Sequence, residues 1–565
     1  MDTDKDAPLQ HDDLQLAGMG YRPELRRQFS TWALLGLAFA VLNSWTALSA
    51  SLSISLTSGG SSSVVWGLVT AGFCNFCIAS SLAEFLSAYP TAGGQYHWVA
   101  ASMHIRNTQC NSPLTQSIVA WPKWVPILSW ITGWINVAGW VALVATNSLL
   151  SSQLIVGIIS AMHPVLHHVP EVRMHSLMEE KSYEPERWHQ FLIYIGLTLG
   201  AFVINAFMNS ALPVIYRGAF SWSIGGFLLV SITALACASP DYNTAQFVFA
   251  NFVNTTGWPD GIAWLLGLLQ GGLGVTAFDS VAHMIEEVPN ASVQGPKIMM
   301  SCVGIGTFTG CIFLIVLLFV AGDMDQVTTS AAGPLLQILI DATQSKAGAI
   351  CLLMLPLVCL ILAILSVMTT SSRLIFAFAR DGGLPASRFF ARVHPRLELP
   401  LNALILTVVV VICFGCIFLG SSSAFNAIIA ASVVSLDLSY MMPILVNCLQ
   451  GRNALPERKW NIPRAFGWIA DIVSLSYIML TTVLFVFPPS RTVTGSSMNY
   501  CVAAFAVIIM ISVFQWIVDG RKNFTGPRVN VTIDGLNALP SERVADAVSK
   551  EITSPPRVSN NTQAA

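Results

Sequence analysis

Runs of about 20 mostly apolar residues recur twelve times along this 565-residue chain, and each is long enough to cross a hydrocarbon layer. They lie near 31–57, 65–86, 124–150, 189–209, 219–238, 262–286, 298–321, 348–372, 400–419, 424–448, 467–487 and 499–518. Only 10% of the residues are charged, too few to hydrate the surface of a soluble protein of this size, so most of the outer face must meet lipid. In hydrocarbon every backbone N–H and C=O needs an internal partner, which makes the runs helices. The expectation is an all-α polytopic membrane protein of about twelve spans. Residues 1–29 form a polar N-terminal tail, 30–518 the helical domain, and 519–565, rich in Ser, Thr, Asn and Pro, a disordered C-terminal tail. The first 29 residues lack the apolar stretch of a secretory signal, so span 1 is expected to direct its own insertion.

Charge placement gives the orientation. If the N-terminus is cytoplasmic and the spans alternate, 23 of the 28 Lys and Arg fall on the cytoplasmic side. Only Arg173, Lys181, Arg187, Lys346 and Arg491 fall outside, as the positive-inside rule requires. Miscounting one central helix would destroy that pattern. Both termini are therefore expected in the cytoplasm, with the plasma membrane as the expected location. The near balance of 28 basic and 30 acidic residues argues against a nucleic-acid partner.

Several motifs invite chemistry and lose it in context. Cys74-Asn75-Phe76-Cys77 has CxxC spacing, but no second pair follows and the setting is an apolar helix, where cysteine acts as a small hydrophobe. The long outer loop near 161–188 holds His163, His167, His168 and His175, with His189 just beyond. Pro164 and Pro170 spoil any helical ligand geometry there, so no metal site is expected. Asn254-Thr255-Thr256 is a glycosylation sequon predicted to face outward, whereas Asn290-Ala291-Ser292 falls inside.

Span 6 carries the strongest functional signal. Gly271-Gly272-Leu273-Gly274-Val275-Thr276-Ala277-Phe278-Asp279 places three glycines and an acid near mid-membrane. Glycines weaken the helix and free amides and carbonyls for a ligand, and an intramembrane acid usually marks a substrate or ion path. His283 and Glu286 follow Asp279 at i+4 and i+7, a ladder suited to a proton relay or an inner gate. Glu286 and Glu287 also admit a plainer reading, as interfacial residues paired with Lys297 or Arg380. In span 1, Asn43-Ser44-Trp45-Thr46-Ala47 gathers hydrogen-bonding side chains without glycine. Trp45 offers a π face to a cation, while the Ser and Thr hydroxyls equally well bond back to their own helix. Asp437 and Asp471 also lie in or at the ends of apolar runs, with no partner legible.

Four motifs in order carry a family resemblance: 29–36 (FSTWALLG) entering span 1, 83–96 (AEFLSAYPTAGGQY) after span 2, 278–287 (FDSVAHMIEE) in span 6, and 378–385 (FARDGGLP) after span 8. Together they resemble the amino acid–polyamine–organocation superfamily, in its fungal amino acid/choline permease branch, over roughly 25–520. The resemblance implies an inverted five-plus-five repeat with broken helices 1 and 6, plus appended helices 11 and 12. It implies proton-coupled transport by alternating access. Carried over by position, the substrate contacts are Asn43, Ser44, Trp45, Thr46 and Ala47 in span 1 and Leu273, Gly274, Val275, Thr276, Phe278 and Asp279 in span 6. Asp279, His283 and Glu286 take the coupling or gating role. Many amino-acid carriers of this superfamily hold the α-carboxylate in a Gly-Ser-Gly-type break of helix 1. Asn43-Ser44-Trp45-Thr46-Ala47 departs from it, which favours choline, another quaternary amine or γ-aminobutyrate.

The sequence therefore points to a permease for a small amine or amino acid, with a proton as co-substrate and no cofactor. The alternative is a nutrient sensor of the same fold that binds without transporting. No nucleophile–base pair, metal triad or phosphate loop suggests an enzyme.

Overall fold

The structure is a computed structural model that describes residues 7–104, 124–163, 186–420, 423–453, 455–494, 498–524 and 526–527. Among the described residues twelve helices are long and apolar enough to cross a membrane. Spans 1 to 6 are Thr31–Ala50, Gly60–Ala88, Val125–Met162, Arg187–Phe207, Asn209–Ala238 and Asp260–His283. Spans 7 to 12 are Ala291–Val320, Lys346–Arg380, Leu401–Gly420, Ala427–Leu449, Arg464–Leu484 and Cys501–Asn523. Tyr21, before span 1, meets Asp381, and Asn523, at the end of span 12, lies against Gly382, so the two ends of the bundle share one side, called here the termini side.

Burial sorts the spans into an inner and an outer set. The most apolar stretch of span 1 is 89% buried and that of span 12 only 11%. Span 12 is thus a peripheral helix with lipid around most of it, while spans 1, 3, 6 and 10 make the interior. Small residues set the close approaches, as they must where hydrophobicity cannot drive helices together in lipid. A Cβ on Gly36 of span 1 would stand 2.2 Å from the Tyr216 carbonyl oxygen of span 5. One on Gly306 of span 7 would stand 2.4 Å from Ser44 Oγ.

Several spans outrun the lengths read from sequence, spans 3 and 5 among them. Span 3 continues to Met162 rather than stopping near 150. The polar Ser151 and Ser152 do not end it, because their hydroxyls donate back to the carbonyls of Asn147 (2.8 Å) and Leu149 (2.7 Å). The span 5 helix begins at Leu212, not near 219, started by Pro213 in its first turn. Arg217 sits inside it, donating from Nε to the Pro213 carbonyl at 3.3 Å.

Within the polar N-terminal tail, Ala7–Gly18 is helical, and Leu16, Met19, Tyr21 and Leu25 are buried against the bundle. His167, His168 and His175, and the tail beyond 527, lie outside the described residues. His163 closes span 3, and His189 lies in the first turn of span 4, where its ring faces the Glu186 N–H. The Asn254 side chain is tied into its own loop. Its amide donates to the Trp258 carbonyl and Asp260, and its Oδ1 accepts from Thr256.

Candidate functional site

Spans 1 and 6 both depart from helical geometry partway along, and the two interruptions face a common cavity. In span 1 the helix runs Thr31–Leu42 and resumes at Ser44–Ala50, with Asn43 between them in the left-handed region at φ 43°. The Asn43 carbonyl takes the N–H groups of Thr46 (3.1 Å) and Ala47 (2.8 Å), restarting the helix. In span 6 the helix Asp260–Val275 stops, Thr276 is extended, and Ala277 stands at φ 66°. A single turn, Ser280–His283, follows. A left-handed alanine costs about 1 kcal/mol. Here its N–H finds the Tyr440 hydroxyl of span 10 at 3.2 Å, a fixed partner that helps hold the conformation.

Between the interruptions lies a cavity of about 10 Å³, lined by Ala47, Leu273, Thr276 and Ala277 with Thr146 and Asn147 of span 3. That is room for about one water, so this is a closed conformation. A larger cavity of about 160 Å³ lies further from the termini side, among Ser53, Thr57, Leu266, Leu269 and Phe485. Along span 6 the order is therefore wide cavity, small cavity, Asp279.

Asp279 is fully buried and fully used. Its Oδ1 accepts from the Tyr440 hydroxyl at 2.6 Å. Its Oδ2 accepts from Gln95 Nε2 at 2.8 Å and Trp140 Nε1 at 3.2 Å, and faces His283 Nε2 at 3.1 Å. His283 Nδ1 lies 2.9 Å from the Ala92 carbonyl. Nδ1 therefore carries a hydrogen and donates to that carbonyl, while Nε2 faces both the Asp279 carboxylate and, at 3.4 Å, the side-chain amide of Asn136. Gly94 makes this approach possible, since it stands at φ 59° and a Cβ there would meet His283 Cε1 at 2.8 Å.

The ladder continues through a peptide unit. Ala92, whose carbonyl meets His283, gives its N–H to Glu286 Oε1 at 2.9 Å. Glu286 is gripped by both terminal nitrogens of Arg380, at 3.0 and 2.8 Å, and Glu287 by Arg373 Nε at 2.9 Å. Of the two readings left open for Glu286, pairing with Arg380 is therefore present. Glu287 pairs instead with Arg373, which sequence had not offered. Burial alone would raise the Glu286 pKa, but Arg380 outweighs it and holds the carboxyl below its usual range. A depressed carboxyl contributes its stability above the unfolded pKa and loses it only as pH falls through the folded one. This pair therefore stays closed across neutral and mildly acid pH. The N-terminal segment caps the same region, where the Arg380 guanidinium lies 4.2 Å over the Tyr21 ring. The Tyr21 hydroxyl donates to Asp381 at 3.0 Å.

The other predicted contacts divide. Ala47, Leu273 and Thr276 line the small cavity, whereas Asn43, Ser44, Gly274, Val275, Phe278 and Asp279 do not. Ser44 abuts Gly306, Gly274 abuts Leu48, and the Thr46 hydroxyl donates to the Asn43 carbonyl at 3.0 Å. Trp45 turns away from the cavity. Its indole N–H donates to Ser223 at 2.9 Å, and its ring meets Phe313 edge-on at 4.9 Å. Trp45→Ala is accordingly expected to lower thermal stability by about 3–5 kcal/mol, as a large core truncation does. It should reduce uptake of a quaternary amine and a zwitterion alike; selective loss of the amine would contradict this packing role. Sequence reasoning missed Thr146, Asn147, Trp140, Gln95 and Tyr440. The polar run Thr146-Asn147-Ser148 inside an apolar span was the available signal.

With this geometry in place, the comparisons are specific. The family described as "Amino acid permease" matches residues 29–514. The choline transporter of Saccharomyces cerevisiae is 32% identical over 502 residues, covering 88% of this chain and 83% of its own. A putative amino acid/polyamine transporter of Macrophomina phaseolina is 32% identical over 475 residues, 83% of this chain and 97% of its own. Amino-acid permease 2 of Neurospora crassa is 27% identical over 517 residues, 91% and 89% of the two chains. The chain belongs to the amino acid permease family. It is an integral membrane transporter, not an enzyme.

Proposed function

We propose that this protein is a proton-coupled symporter of the plasma membrane for a small amine or amino acid, with both termini cytoplasmic. The interruptions of spans 1 and 6 are, on this reading, the broken helices of an inverted five-plus-five repeat, and alternating access proceeds about them. The observation that carries it is the shared, closed cavity at those interruptions, backed by a fully buried acid in contact with a histidine.

The substrate favoured is choline, another quaternary amine or γ-aminobutyrate. A carboxylate clamp needs free amides, and here those of Thr46, Ala47 and Ala277 are spent on Asn43 and Tyr440. The negative end of the site lies at Asp279, behind Ala277. The similarity to a yeast choline transporter points the same way. The test is radiolabelled uptake in yeast stripped of its own amine and amino-acid permeases, offering choline, γ-aminobutyrate and mixed amino acids at acid and neutral outside pH. Uptake of one class, faster at acid pH and abolished by a protonophore, is expected. No uptake by protein present at the cell surface would favour a sensor.

A further inference from the structure

One intramembrane acid has no part in the ladder. Asp437 lies near the middle of the helix Ser423–Leu449, is 2% exposed, and its Oδ1 has no hydrogen-bond partner. It forms no ion pair among the described residues. Two other buried groups lie nearby, the Tyr477 hydroxyl of span 11 and the Asn75 side chain of span 2, which interact with each other and leave Asp437 Oδ1 unpartnered. Tyr477 sits beside Asn75 and in the field of Asp437 and Cys74. On its own helix Asp437 faces Tyr440, one turn on, whose hydroxyl holds Asp279. Span 3, packed along the same helix, carries no titratable side chain, and the acids and bases of spans 2 and 11, Glu84 and Asp471, are occupied by Arg452. Further titratable groups on the elements packed against this helix are Cys413 and Cys416 of span 9, Arg464 of span 11, Cys501 of span 12, and Tyr96 and His97 of the Gln95–His104 helix, His97 being itself engaged.

We propose that Asp437, with Tyr477 and Asn75, is a second cation site that carries the co-transported proton apart from the Asp279–His283 pair. This rests on the symporter reading above. An unpaired carboxylate at this depth is far costlier ionised than neutral, so in the closed conformation the group holds a proton. Sodium fits poorly, because hard cations take several oxygen ligands and the helix frees only one carbonyl near Asp437, that of Ser439, four residues before Pro443. The cluster also touches the two places that coupling requires. A Cβ on Gly272, three residues before the end of the span 6 helix, would stand 3.5 Å from the Tyr477 hydroxyl and 3.6 Å from Phe485. Phe485 lines the wide cavity, which gives a proton an approach from the side opposite the termini. Tyr440 passes the state of Asp437 to Asp279 and to the Ala277 amide.

The experiment compares wild type, Asp437→Asn and Asp437→Glu, matched for surface abundance, with radiolabelled choline, or γ-aminobutyrate where choline is not carried. Two modes are read: accumulation with acid outside, and exchange between preloaded and outside label without a gradient. The Asn variant mimics the protonated acid. It is expected to exchange within a few-fold of wild type while its accumulation ratio falls to unity and loses pH dependence. The Glu variant is expected to keep accumulation with a displaced pH profile. Undiminished accumulation by Asp437→Asn would overturn the proposal, as would loss of exchange together with accumulation, which marks a structural or substrate-binding role. If wild type itself exchanges without ever accumulating, the symporter reading fails first and separately.

Discussion

Asp279→Asn is expected to abolish uptake while the protein reaches the membrane in normal amount. The carboxylate accepts from Tyr440, Gln95 and Trp140 and faces His283 Nε2 at 3.1 Å. An amide keeps one acceptor oxygen and turns two N–H donors towards groups that are themselves donors. Hydrogen bonds to a charged group contribute about 1.5–3 kcal/mol each. Losing two of them where the closed conformation must form would slow transport by about two to four powers of ten. The damage falls on closure, because these four partners come from spans 3, 6 and 10 and the segment after span 2, and Asp279 is what joins them. Surface labelling beside uptake distinguishes this from misfolding. Ordinary uptake by the variant would remove Asp279 from the mechanism.

Breaking the Arg373–Glu287 pair should cost as much stability as truncating Trp45. Both side chains are almost wholly buried, and Arg373 also donates to Asn209 and Ser372. Removing the guanidinium leaves Glu287 as an unpaired buried charge with only Gln28 at 3.3 Å, a loss of about 3–5 kcal/mol. Arg373→Met alone should therefore denature several degrees earlier in detergent. Arg373→Met with Glu287→Leu should recover more than half of that loss, since two apolar groups of similar volume need no partner. A double variant as unstable as the worse single one would show that the pair's charge is not what matters.

The fold was legible to the extent that lipid imposes it. Twelve runs and their charge asymmetry follow from composition along one chain, and no tertiary contact is needed to read them. The sequence expectation ends span 3 near 150, just before Ser151 and Ser152. Their hydroxyls bond to the helix itself, which composition does not reveal. The glycines of span 6 marked where its helix stops, whereas Asn43 marked the stop in span 1 without any glycine. What could not be read is which groups meet. Tyr440 lies 161 residues from Asp279 and Gln95 lies 184 away, and nothing local in either says it will donate to that carboxylate. Trp45 illustrates the converse. Its π face suited a cation on paper, but Phe313 and Phe227 occupy its surroundings.

The most direct measurement is made on purified protein in liposomes, free of every other carrier, with the substrate found in yeast and an imposed pH gradient. The account predicts that label concentrates inside above its outside level when the outside is acid, and that a protonophore returns it to equality. Label that only equilibrates, at the same rate with and without the gradient, would contradict proton-coupled transport through this site.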